Sequence, residues 1–158
     1  VRIFPLRCKR PVRREDLAAY PDIQVLVPAL VAGKEHLDFA ISQAEKAFSR
    51  GENISGNRFV EVILRASAQR QIKRAFEFFG ISDEGEREVV VLSEERPEKF
   101  MEDFGCEEAG ELLEMDGEKL EDIKRAFQIP DEELSALPLA ERESLVEVIK
   151  ERIALLNA

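Results

Sequence analysis

The chain has no tryptophan, one tyrosine, one histidine and two cysteines among 158 residues, and each shortage narrows what it can do. The single histidine cannot be matched by spacing to a nucleophile. There is no HExxH, no CxxC, no glycine-rich phosphate loop and no P-loop, so the usual sequence signs of catalysis and of metal or cofactor binding are missing. Cys8 and Cys106 stand almost a hundred residues apart with no second ligand near either. Free buried thiols are therefore expected, not a disulfide framework or a zinc knuckle. No stretch approaches the roughly 18 apolar residues of a membrane span, and Val1 to Cys8 lacks the apolar core of a signal peptide. A cytoplasmic chain with no membrane partner is expected.

What is present is a folded composition. Hydrophobic residues make up 44% and charged residues 35%, which describes a packed core under a heavily solvated surface. The length suits one domain, read as residues 1–158. The net charge of −10 is unevenly spread: residues 1–80 hold 14 Lys and Arg against 9 Asp and Glu, and residues 81–158 hold 9 against 24, giving +5 and −15. A basic binding face on an acidic protein is thus permitted.

Periodicity predicts an α/β chain of the α+β kind: a small, mostly antiparallel or mixed sheet of three to four strands packed with about seven to eight helices. Arg2 to Cys8, interrupted by Pro5, reads as an edge strand. A short helix follows over Arg13 to Ala19. Ile23 to Val27 reads as a strand that carries on through Pro28 toward Gly33. From there the period becomes helical, with Leu37, Ala40, Ile41, Ala44 and Phe48 on one face and Gly51 as the stop.

Asn57 is an N-cap for a helix that is apolar nearly all round and hence buried. After a break at Ser67-Ala68, Arg70 to Phe79 carries the stripe Ile72, Ala75, Phe76, Phe79, closed by Gly80 at C′. Arg70, Lys73, Arg74 and Glu77 repeat that spacing on the other side. Glu88 to Ser93 reads as a central strand. Helices are placed at about Pro97 to Phe104, Gly117 to Phe127 and Leu139 to Leu156, with Pro130 and Pro138 at N1 positions.

Three features invite a functional reading. Lys34 and His36 lie in the first turn of a helix, where orphan N–H groups favour an anion. Arg65, Arg70, Lys73 and Arg74 could contact phosphates or stack on bases. The last helix sets Leu145, Ile149 and Ile153 on one stripe with Leu156, widened by Val148 and Leu155, broader than one core need cover.

The segment Asn53-Ile-Ser and the run Arg65-Ala-Ser-Ala-Gln-Arg-Gln-Ile-Lys-Arg-Ala75 resemble the signature of the small regulatory subunit of the KEOPS complex. Gln24-Val-Leu, Val31-Ala-Gly-Lys-Glu-His-Leu, Ala40-Ile-Ser-Gln-Ala and Glu151 to Leu156 follow in order. The resemblance thins between about Ser93 and Leu139. It implies a non-catalytic subunit of the machinery that installs threonylcarbamoyladenosine in tRNA. Such a subunit docks on the atypical kinase/ATPase and supports its activity, and it binds the tRNA 3′ CCA end.

On this reading Lys34, His36, Arg65, Gln69, Arg70, Lys73 and Arg74 face tRNA, while Leu145, Ile149, Ile153, Leu155 and Leu156 face the kinase. No cofactor, metal or small-molecule substrate is implied. A purely protein-interaction subunit without RNA contact is the alternative. The family usually has Gly where this chain has Ala68, which costs on the order of 1 kcal/mol if the position needs φ > 0.

Overall fold

The computed structural model describes residues 1–157; Ala158, the end of the expected 1–158 unit, lies outside the described residues. Four strands, β1 (Arg2–Val12), β2 (Ile23–Leu26), β3 (Glu86–Ser93) and β4 (Cys106–Glu108), form one antiparallel sheet in the order β2-β3-β1-β4. Seven α-helices accompany it: α1 (Lys34–Arg50), α2 (Arg58–Ser67), α3 (Ile72–Phe79), α4 (Glu98–Phe104), α5 (Gly117–Ala126), α6 (Asp131–Ser135) and α7 (Glu141–Ala154). Three short 3-10 segments complete the described residues, at Arg14–Ala19, Gly110–Leu113 and Leu155–Asn157. The α+β class expected from periodicity is the class observed.

β3 is central because Val89 to Leu92 leave it no polar face, and all four are fully buried. A strand covered on both sides reads as a continuous apolar run. On one side Val90 and Leu92 meet α1, α2 and α3. On the other, Val89 and Val91 join Phe4, Leu6, Val25, Phe100 and Met101. A third apolar cluster joins Leu120, Ile123 and Phe127 of the α5 region to Leu145, Ile149 and Ile153 of α7.

Four expectations are corrected by the backbone. β1 is an interior strand, not an edge, because three residues of β4 pair with Leu6 to Cys8. Pro5 is tolerated because the N and C=O of one residue point to the same side of a strand. Its carbonyl accepts from Ala109, just past the end of β4, so its missing N–H lies on that side and costs no bond to β3. β2 stops at Leu26, since the Val27 N–H turns away to the Phe79 carbonyl at 2.9 Å. Gly80 ends α3 in an extended conformation (φ −70°), and glycine is needed there because a Cβ would sit 2.6 Å from the Phe76 carbonyl oxygen. Pro130 is the N-cap of α6, and α7 begins three residues after Pro138, capped by Ala140.

The cysteines are also corrected. Cys8 and Cys106 face each other directly in the β1–β4 ladder and are disulfide-bonded. Their distance in sequence concealed the pairing, which depends on the three-residue strand β4.

Candidate functional site at the turn between α2 and α3

α2 starts where the Asn57 side chain accepts from the backbone N–H groups of Phe59 and Val60, at 2.9 and 3.1 Å. From Glu61 to Ser67 every residue is buried. That stretch includes a charged pair: Glu61 Oε2 accepts from Arg65 Nε at 2.9 Å and Nη2 at 2.7 Å, with neither side chain exposed. Glu61 Oε1 accepts from the N–H groups of Ile54 and Ser55, at 2.8 and 2.7 Å. Arg65 reaches on to Asn157 Oδ1 at 2.8 Å and to the Glu52 carbonyl. The two separated signature segments, Asn53-Ile-Ser and the run from Arg65, are thus one hydrogen-bonded unit joined through Glu61.

Past Ser67 the helix ends in a Schellman turn. The Ala68 N–H donates to the Arg65 carbonyl and the Gln69 N–H to that of Leu64. Ala68 itself is left-handed, with φ 54° and ψ 36°, so this is the position where glycine would relieve a steric cost. The turn uses the Gln69 backbone and leaves its side chain to line a cleft.

That cleft, about 310 Å³, lies between three walls. Ser67, Ala68, Gln69, Arg74 and Phe78 form the first, Ala126, Phe127 and Gln128 the second, and Arg152, Leu155 and Leu156 the third. Phe78 and Phe127 meet edge to face at 5.0 Å between ring centres. At the lip, Arg70 Nη1 donates to the Leu156 carbonyl at 2.6 Å. Arg152 is tied to the Phe127 carbonyl and to Glu133.

Of the seven residues expected to face RNA, the structure brings three together here: Gln69 and Arg74 in the wall and Arg70 at the lip. Lys73 is exposed but opens on a different groove, with Arg14, Leu17 and Phe76. Lys34 opens on a third, beside Arg142 and Met115, and pairs with Asp38 at 2.7 Å. Arg65 and His36 are corrected: both are completely buried. His36 Nδ1 accepts from the Ala32 N–H at 3.0 Å, which leaves Nε2–H to donate to the Ala66 carbonyl at 2.8 Å. Burial holds its pKa down to about 4, against the opposing pull of the Ala66 carbonyl. A neutral ring spliced between the start of α1 and the end of α2 buttresses the Ala68 turn and cannot meet a phosphate.

The hydrophobic stripe of α7 divides in the same way. Leu145, Ile149 and Ile153 are core, at 0–1% exposure, whereas Leu155 is 59% exposed and Leu156 is half-buried. Only the last two can meet a partner. The sequence reading missed Phe78, Phe127 and Gln128, because nothing in the sequence links the end of α5 to the α2–α3 turn.

Compared with known proteins, the chain falls among kinase-binding proteins. Residues 12–157 match the family described as "Kinase binding protein CGI-121", and the chain belongs to that family. It is 31% identical to the regulatory protein Cgi121 of Methanocaldococcus jannaschii over 128 residues, 81% of this chain and 85% of that protein. This is the family to which the signature pointed. Among the described residues no helix is long and apolar enough to cross a membrane.

Proposed function

We propose that this chain is a non-catalytic subunit of the KEOPS tRNA-modification complex. It docks on the atypical kinase/ATPase through the exposed end of its last helix, supports that enzyme's activity, and recruits tRNA by its 3′ CCA end. The observation that carries the RNA part is that Gln69 and Arg74 line one cleft, with Arg70 at its lip, opposite walls brought from residues 126–128 and 152–156.

The chemistry of the cleft suits an unstacked nucleotide. Single-stranded RNA is held by stacking surfaces, amide groups that read base edges, and cations on its phosphates. Phe78, backed edge to face by the buried Phe127, supplies the first, Gln69 and Gln128 the second and Arg74 the third, with Arg70 adding a cation at the lip. The volume is at the small end of ligand sites, suited to one base and not to a duplex.

Gel-shift titration of tRNA with and without its terminal CCA tests this reading. Tighter binding of the intact tRNA is expected. Equal affinity for both, or none for either, refutes the recruitment role. A second reading, a protein-interaction subunit with no RNA contact, gains from the burial of Arg65 and His36, which removes two expected contacts. It requires that the wild type binds no tRNA and that Arg70→Glu with Arg74→Glu weakens kinase binding.

A further inference from the structure

The two surfaces of the proposed function share one piece of chain. Leu156 is a wall of the cleft and its carbonyl holds Arg70. Its neighbour Leu155, in the same 3-10 turn, also lines the cleft but is 59% exposed, which leaves part of its side chain open to a partner. Asn157, the third residue of that turn, is held by the buried Arg65. The turn is therefore attached to the body of the protein by two arginines from the α2–α3 region, at the two residues that follow the exposed Leu155.

We infer that the turn Leu155–Asn157 couples the two binding events, so that a kinase clamped on Leu155 tightens the hold on RNA and RNA tightens the hold on the kinase. This rests on the proposed function and adds a mechanism of regulation to it. A three-residue turn at the end of a helix is the kind of element that opens locally. When it opens, the cleft loses the Leu155 and Leu156 part of its third wall and Arg70 its anchor, and the guanidinium returns to many rotamers.

A partner burying Leu155 keeps the turn closed. Arg70 then presents its remaining N–H groups as a fixed fork, since a guanidinium carries five donors and the Leu156 carbonyl occupies one. Ordering the fork before RNA arrives removes a cost otherwise met on binding, which gives positive linkage. Linkage is reciprocal by thermodynamic necessity. In this scheme Arg65 is a positioning residue that acts through Asn157 and touches neither ligand.

The experiment is a pair of titrations with labelled tRNA, using the free protein and its complex with the kinase, for the wild type and for Arg70→Lys. Lysine keeps the charge but cannot hold a carbonyl and a phosphate in one rigid fork. The kinase is expected to tighten RNA binding about three- to tenfold for the wild type. The factor should fall at least twofold in the variant, whatever the kinase contributes by its own contacts. An equal factor in both overturns the coupling and leaves the proposed function standing.

A second readout uses the free protein and an RNA oligonucleotide ending in CCA. Amide exchange at Leu155 to Asn157 slows on RNA addition if the turn is linked to the cleft. RNA that binds without slowing these amides overturns the inference. Wild-type protein that binds no RNA overturns both the inference and the reading beneath it.

Discussion

Glu61 and Arg65, one helical turn apart, form an ion pair with no exposure to solvent, and both reach into the 52–55 loop while Arg65 alone also holds the C-terminal turn. Glu61 gathers the 54–55 backbone and Arg65 the C-terminal turn. Removing one partner leaves the other charge buried and uncompensated, so Glu61→Ala is expected to lose about 3–5 kcal/mol of stability. Replacing both with apolar residues should cost much less. Denaturant unfolding of the two single variants and the double variant checks this, with near-additive losses as the contrary result.

His36 ties stability to pH. Its pKa is lowered from 6.5 to about 4 in the folded protein, so between those values the unfolded chain binds more protons than the folded one. Stability from this residue is complete above pH 6.5, falls as the pH drops toward 4, and levels off below. The span corresponds to about 3 kcal/mol. Because carboxylates titrate in the same range, the useful quantity is the difference between wild type and His36→Gln across pH 4–7: the variant should show the shallower slope.

Ala68 is left-handed, where its Cβ is crowded by the backbone. Ala68→Gly is expected to stabilise the protein by about 1 kcal/mol, a rise of roughly 2–4 °C in Tm for a chain of this size. Thermal unfolding followed by circular dichroism measures it. A lower Tm would mean that glycine's greater freedom in the unfolded chain outweighs the relief.

Leu155 and Ile153 should separate partner binding from folding, although they lie two residues apart. Ile153→Asp places a charge in the core and is expected to unfold the protein, whereas Leu155→Asp should leave its melting unchanged and abolish co-purification with the kinase. Retained co-purification of the folded Leu155→Asp variant would remove the C-terminal turn from the docking surface.

Much of the scaffold was legible because local rules and tertiary packing agreed. The α1 period, the Asn57 cap and the unbroken apolar run of β3 each pointed to one structure. Pro5 misled because a strand proline usually marks an edge, and only the end of β4 beside it shows why an interior place is harmless. Arg65 misled for a related reason. A helix read as apolar all round has no solvated face for a guanidinium, and Glu61 four residues earlier was the signal that the two charges are buried together. The cleft itself was not legible, since its walls come from residues 67–78, 126–128 and 152–156 and meet only in three dimensions.

The bond between Cys8 and Cys106 closes a covalent ring around β2, β3 and α1 to α4 and leaves α5 to α7 as an open tail. A protease that nicks the exposed Arg50-Gly51 link, at the end of α1, cuts inside the ring, and the two pieces remain tethered. A cut at the exposed Ser135-Ala136 link falls in the tail, so α7 and the turn that follows it have no covalent tether left to the rest of the chain. The polypeptide is thus divided into a ring, residues 8–106, that survives a single break in one piece and a shorter tail, bearing Leu155, that does not.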